Sequence, residues 1–139
     1  MNIAIVGATG NVGRKILEVL EKRNFPTKNI YFVASSKSAG SKLKFKGKEI
    51  IVENLETFDF LKSDITFFSA GGKISEKYVP IAAQQSVVID NSSFFRMDPD
   101  VPLIVPQVNS NHIQTMKKNI ISNPNCSTAQ LVIILKPLH

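Results

Sequence analysis

Hydrophobic and polar positions along the chain fall into two alternating rhythms. Ile3-Ala4-Ile5-Val6 is a short apolar run that stops at a glycine, the pattern of a strand buried on both faces. The period then changes to that of an amphipathic helix, with Val12, Ile16, Val19 and Leu20 on one stripe and Arg14, Lys15, Glu18 and Lys22 on the other. Phe25-Pro26 ends that helix, because a residue before proline is pushed out of the α region. Further strands are predicted at Ile30 to Ala34, Ile50 to Val52, Ile65 to Phe68, Val87 to Asp90, Leu103 to Val105 and Ile120 to Ser122. A polar loop follows the second strand from Ser35 to Ser41, and a small hairpin turns near Lys46-Gly47. Helices are expected from Ser75 to Gln85, where Pro80 is tolerable only early, and from a cap at Asn109 or Ser110 through Met116. A strongly apolar helix begins near Ser127.

Strand and helix alternate along the whole chain, which predicts an α/β fold with a doubly wound, mostly parallel sheet. The 139 residues suffice for one domain with a real core and are too few for two ordinary ones. With 43% hydrophobic residues and no run near the ~20 that a membrane span needs, neither a disordered nor a membrane-spanning chain is expected. Met1-Asn2-Ile3 leads straight into a strand with no basic flank, so no signal peptide is read and a soluble, cytoplasmic setting follows. The chain stops at Lys136-Pro137-Leu138-His139, in or just after a helix too apolar for a comfortable terminus, which suggests part of a longer protein.

A net charge of +6 raises nucleic acid as a partner, but the lysines are scattered. Only Lys42, Lys44, Lys46 and Lys48 are close together, and they alternate with Leu43, Phe45, Gly47 and Glu49 like the solvated face of a hairpin. The charge fits a phosphate-bearing small ligand equally well, and no nucleic-acid or membrane partner is assigned. A single cysteine excludes an internal disulfide framework and any multi-cysteine zinc site, and no metal is called for.

Gly7-Ala8-Thr9-Gly10-Asn11-Val12-Gly13 sits where the first strand meets the first helix. Glycines there permit a tight turn and close approach to a pyrophosphate, whose charge suits the free amides of the helix start. This is the context of a Rossmann-like dinucleotide-binding domain. At the end of the second strand, where a carboxylate would bond an NAD ribose, the chain has Ser35-Ser36-Lys37-Ser38. A lysine among hydroxyls suits a 2′-phosphate, so NADP is the expected cofactor. Cys126 follows Asn123-Pro124-Asn125 at the start of the last helix, where unpaired amides favour a thiolate and a nucleophile is the reading. Arg96 lies in a long loop beyond a buried strand and is either a phosphate-binding group or a surface ion-pair partner.

Together these blocks, with Phe68-Ser69-Ala70-Gly71-Gly72 and Asp90 to Arg96 with its Met-Asp-Pro-Asp-Val-Pro continuation, resemble the amino-terminal half of the aspartate-semialdehyde dehydrogenases. The resemblance covers essentially the whole chain. It implies an NADP-dependent enzyme that interconverts aspartyl 4-phosphate and aspartate 4-semialdehyde, on the route to lysine, diaminopimelate, threonine and methionine. Cys126 would be the nucleophile, Arg96 would hold the phosphate and Asn125 would help place the acyl group. Gly7, Thr9, Gly10, Asn11, Val12 and Gly13 would form the pyrophosphate loop. Ser36, Lys37 and Ser38 would meet the 2′-phosphate, and Ser69, Ala70 and Gly71 would lie near the nicotinamide. The resemblance further implies a second half, absent from this chain, that carries the general-base histidine and the homodimer interface. His112 and His139 match no such position. Lys37 stands where the family usually has Arg, and Gln107 where Glu is common.

Two other readings remain at this point. One is a non-catalytic NADP-binding domain or gene remnant. The other is a relative of N-acetyl-glutamyl-phosphate reductase, whose nucleophile typically sits in Asn-Pro-Gly-Cys-Tyr rather than the Asn-Pro-Asn-Cys-Ser present here. A short-chain dehydrogenase fails, since it needs Tyr and Lys four apart and Tyr31 is followed at that spacing by Ser35, Tyr78 by Ala82.

Overall fold

A computed structural model describes residues 1–138. His139 lies outside the described residues. The first apolar run forms β1 (Asn2–Val6), the amphipathic segment α1 (Asn11–Lys22), and the second run β2 (Asn29–Ala34). The lysine-rich stretch is the antiparallel hairpin of β3 (Lys42–Phe45) and β4 (Lys48–Asn54), with Lys46 and Gly47 turning at φ +47° and +76°. Then follow β5 (Ile65–Phe68), α2 (Gly72–Ala82), β6 (Val87–Asp90), a four-residue α3 (Pro106–Asn109), β7 (Ile120–Ser122) and α4 (Cys126–Leu135).

The seven strands form one sheet in the order β3-β4-β2-β1-β5-β6-β7, and every pairing except β3 with β4 is parallel. The chain leaves β1 toward β2 on one side and returns to β5 on the other. The crevice between the ends of β1 and β5 is therefore the switch point at which open α/β sheets bind ligands. One sheet face carries Ile3, Ile5, Phe32 and Val52 under Leu17 and Leu20 of α1. The opposite face carries Ala4, Val6, Val33, Phe68 and Val88 under Val79 and Ala82 of α2. Where β4 returns to β5 no full helix forms. Phe58 and Phe60 fill its place, their rings 5.2 Å apart edge to face, with Phe60 stacked on Phe68 at 6.1 Å.

Several expected elements differ. The buried face of α1 is Gly13, Leu17 and Leu20 with Ile16 at its margin, whereas Val12 and Val19 are exposed. Val12, Ile16 and Val19 flank an apolar groove of about 520 Å³ whose floor is Phe67 and Ile89. Helix α2 begins three residues earlier than its apolar period suggests, because Gly71-Gly72 start the turn, so Pro80 falls near its end. Proline offers no amide and crowds the carbonyl of Glu76, and the helix stops two residues later. Leu103 to Val105 makes only an isolated bridge to Ser122, since Pro102 and Pro106 bracket it and remove two amides. Asn109 caps nothing downstream. Its side chain accepts from the Val105 amide and donates to the Leu103 carbonyl, closing α3 on itself, and Ser110–Thr115 is a 3₁₀ segment. Helix α4 carries no charge and none of its residues is buried.

Among the glycines the closest approach is at Gly13, where α1 meets the glycine turn. A Cβ on Gly13 would lie 2.2 Å from the Gly7 carbonyl oxygen and 2.8 Å from the Ala8 Cα, both backbone atoms that cannot yield. Gly13→Ala is expected to cost about 2 kcal/mol or more by overpacking. Gly40→Ala, at φ +84° with nothing within 4 Å, is expected to cost about 1 kcal/mol from backbone strain alone. Urea unfolding of the two variants beside the parent checks the order; equal costs would contradict it.

Candidate functional site

Every candidate residue group lies at the carboxyl edge of the parallel strands. The loops there are joined to the sheet by a regular device: the first amide beyond a strand donates to the last carbonyl of its neighbour. Ser69 N donates to Val6 O at 2.9 Å, Asn91 N to Phe68 O at 2.9 Å and Asn123 N to Asp90 O at 2.8 Å. Gly7 N donates to Val33 O at 2.8 Å, one residue before the end of β2.

At the switch point, Gly7 takes φ +84°, and a Cβ on it would lie 2.8 Å from the Ser69 carbonyl oxygen. Only glycine lets the two loops close to this distance. The start of α1 has no side-chain cap, because Gly10 precedes it. The amides of Asn11, Val12 and Gly13 thus have no intrahelical acceptor and point out of the helix start. A crevice of about 290 Å³ opens beside them, lined by Gly7, Thr9, Gly10, Ser35, Ser69 and Ala70. Two apolar side chains complete it that sequence reasoning missed, Leu55 just beyond β4 and Ile74 on α2. Leu55 is an apolar residue directly after a strand, which was a usable signal; Ile74 reaches the crevice only through tertiary placement. A cradle without Cβ atoms, free helix-start amides and an apolar wall are the features that a dinucleotide phosphate and its base require, so the residues present fit such a cofactor. Ser36 and Lys37 are exposed on the loop after β2, and Ser38 is half-buried. Gly71 precedes α2 as its N-cap residue, at φ +90°.

The second group gathers around the ends of β6 and β7. Arg96, in the 3₁₀ turn Phe94–Met97, makes no ion pair among the described residues. Its Nε donates to the Asn123 carbonyl at 3.0 Å and its Nη2 to the Asn91 carbonyl at 3.2 Å. Asn123 Nδ2 in turn donates to Asn91 Oδ1 at 2.6 Å, locking the two loops together. Asn91 and Asn123 were not singled out from the sequence. An asparagine after a strand is ordinarily a turn residue, and only their mutual contact shows otherwise. Asn125 is the N-cap of α4, its Oδ1 accepting from the Ser127 amide at 3.0 Å and the Ser127 hydroxyl at 2.6 Å. Cys126 is the first helical residue, a free and exposed thiol with Sγ 3.8 Å from Asn125 Oδ1. The structure thus brings Arg96, Asn125 and Cys126 to two bonded loops, with the glycine-loop residues two strands away. His112 is exposed in the Ser110–Thr115 segment, its Nδ1 3.4 Å from Asn109 Nδ2, and Gln107 is exposed on α3.

With that geometry in place the relatives are informative. The family described as semialdehyde dehydrogenase, NAD binding domain, matches residues 2–116. The chain belongs to that family. An aspartate-semialdehyde dehydrogenase of Aquifex aeolicus is 54% identical to this semialdehyde dehydrogenase domain over 140 residues, covering 99% of the chain. The chain spans 41% of that relative's length. The crystal structure of aspartate semialdehyde dehydrogenase II from Vibrio cholerae complexed with ASA superposes with a TM-score of 0.96 at 50% identity, over 99% of this chain and 45% of that one. The enzyme of Candida albicans with NADP superposes with a TM-score of 0.75 at 30% identity, over 99% of this chain and 46% of that one.

Charged groups fasten the segment that follows Arg96. The backbone amide of Asp100 and the ammonium of Lys118 hold the Asp98 carboxyl below its usual range, and Lys117 does the same to Asp100. Lys118 lies 3.0 Å from Asp98 Oδ2 and is itself raised, chiefly by that hydrogen bond. Carboxyls lowered in the folded state stabilise it above their ordinary pKa of about 4, and that stabilisation is lost as pH falls through their lower folded values. The melting temperature is therefore expected to drop on acidification below about pH 4, and Lys118→Met to lower the neutral value and so flatten that drop; because a raised Lys118 stabilises the fold fully only below about pH 10, the variant also loses part of the alkaline fall. An unaltered acid limb in the variant would remove Lys118 from this account.

Proposed function

We propose that this chain is the NADP-binding and nucleophile-bearing part of an aspartate-semialdehyde dehydrogenase, which converts aspartyl 4-phosphate to aspartate 4-semialdehyde in lysine, diaminopimelate, threonine and methionine biosynthesis. The observation that supports it most is the Arg96 Nε bond to the Asn123 carbonyl, which places an anion-binding guanidinium on the loop that carries the thiol. Relatives of about 50% identity named for this activity add to it.

In this reading Cys126 attacks the acyl carbon of the substrate. Its Sγ is exposed on the first residue of α4, beside the Asn125 side chain, where a substrate can reach it. Asn125, held by its cap bonds, orients the acyl oxygen. Arg96 holds the phosphate with the guanidinium edge that its two carbonyl partners leave free, and stabilises it as the leaving group. A thioester on Cys126 results, so one difficult reduction becomes two accessible steps. The nicotinamide cofactor, when bound, supplies the hydride that reduces this thioester. Gly7, Thr9, Gly10, Asn11, Val12 and Gly13 hold its pyrophosphate, Ser69, Ala70 and Gly71 line its nicotinamide side, and Ser36, Lys37 and Ser38 receive the 2′-phosphate. We place the protein in the cytoplasm; no helix among the described residues is long and apolar enough to cross a membrane. The active assembly is a homodimer in this reading, its interface and general base supplied by the portion of the relatives that this chain does not span.

The chain joined to the carboxyl-terminal portion of the Vibrio cholerae enzyme is expected to reduce NADP with aspartate semialdehyde in a phosphate-dependent manner, and Cys126→Ser to abolish this. Failure of a folded, NADP-binding chimera to turn over would count against the activity. The 139-residue chain alone is expected to bind NADP without turnover. In fluorescence titrations Lys37→Ala should weaken NADPH binding roughly tenfold, the scale of one charged hydrogen bond, and leave NADH binding unchanged. Equal loss for both would reassign Lys37.

A further inference from the structure

Asp90 is the one ionisable side chain among the fully buried described residues, with 0% exposure, and nothing in the proposed reaction uses it. Among the described residues it has no ion-pair partner. A buried carboxylate without a partner cation is costly, and it persists only where hydrogen-bond donors converge on it. Three do: Ser75 Oγ of α2 reaches Oδ1 at 2.9 Å, the Ser92 amide reaches Oδ1 at 3.0 Å, and the Ser92 hydroxyl reaches Oδ2 at 2.6 Å. Ser122, whose Oγ is buried without a partner among the described residues, stands opposite Asp90 in the β6–β7 register.

The direction of these bonds matters. A carboxylate only accepts, so the Ser92 proton must point to it, which leaves the Ser92 oxygen to accept the Phe94 amide at 3.2 Å. That bond opens the 3₁₀ turn Phe94–Met97 on which Arg96 sits. Through its own carbonyl Asp90 also receives the Asn123 amide at 2.8 Å, at the start of the segment leading to Cys126. Arg96 closes the ring by donating back to the Asn123 carbonyl. One residue therefore fixes the anion-binding arm with its side chain and the nucleophile's loop with its backbone. An asparagine of the same shape would present an N–H to the Ser92 oxygen, so the Ser92 proton would lose its acceptor and turn away, reversing that bond while keeping the volume.

We propose that Asp90 is a positioning residue, whose carboxylate, through Ser92, sets where the Arg96 guanidinium stands relative to the Cys126 thiol. This rests on the reading of Arg96 as the phosphate-binding group and deepens it.

The test uses the full 139-residue chain and its single thiol. Alkylation of Cys126 by anionic iodoacetate is compared with alkylation by neutral iodoacetamide, with and without inorganic phosphate. In the parent chain Arg96 is expected to favour iodoacetate, and phosphate to protect the thiol; Arg96→Ala should lose both. Asp90→Asn should lower the iodoacetate preference and raise the half-protecting phosphate concentration, each roughly tenfold. Ser92→Ala removes the same relay with little change in volume and should reproduce the result, which keeps the test decisive if Asp90→Asn fails to fold. Because reaction through an unfolded population would also lower the ratio, each variant is compared under conditions where circular dichroism shows it folded. Parent-like ratios and protection in a folded Asp90→Asn or Ser92→Ala chain would overturn the positioning role and leave the role of Arg96 standing. No phosphate protection in the parent, with Arg96→Ala indistinguishable from it, would overturn the role of Arg96 and this proposal with it.

Discussion

Hydrogen bonding in this sheet continues for one residue beyond the strands, and the candidate site hangs from that extension. Ser69, Asn91 and Asn123 each donate their amide to the final carbonyl of the neighbouring strand. Because those carbonyls belong to an otherwise complete parallel ladder, the loops leave the sheet with a fixed origin and direction. Short polar segments, which ordinarily wander on a protein surface, are thereby held to within a hydrogen bond of a rigid core. Gly7 extends the same row to the Val33 carbonyl and can do so only because it has no side chain to meet Ser69.

The two halves of the edge use this scaffold differently. Around the glycine loop recognition is by backbone: helix-start amides, absent Cβ atoms and a small crevice. Around β6 and β7 it is by side chain, with Arg96, Asn91 and Asn123 bonding one another's loops before any ligand arrives. Such prior bonding lowers the ordering cost at the moment of binding. The carbonyl partners orient Arg96 without neutralising its charge, and among the described residues it forms no ion pair.

The fold was legible because strands buried on both faces write themselves as unbroken apolar runs, and because Gly7 to Gly13 has little meaning outside a strand-to-helix turn. Legibility failed where tertiary contact overrides a local pattern. The stripe through Val12 and Val19 has a helical period, yet the glycine at position 13 draws α1 against the turn and rotates those two valines outward. Asn109 looked like a helix start and proved to be a brace for the preceding turn. In the site, residue types with unusual chemistry, Cys126, Arg96 and Lys37, stood out from the chain. Asn91, Asn123 and Leu55 did not, since their importance lies in what they touch across long sequence separations.

The groove over Phe67 and Ile89 gives the sheet two unequal halves. Strands β1, β2 and β4 lie between α1 on one face and the aromatic cluster on the other, while β5, β6 and β7 are covered by α2 and the turns near it on one face only. Ile65, Phe67, Val87, Ile89 and Ile121 are accordingly only half-buried. Amides of β6 and β7 in this chain will therefore exchange with solvent through smaller openings than those of β1 and β2, making the half that bears Arg96 and Cys126 the more pliable one.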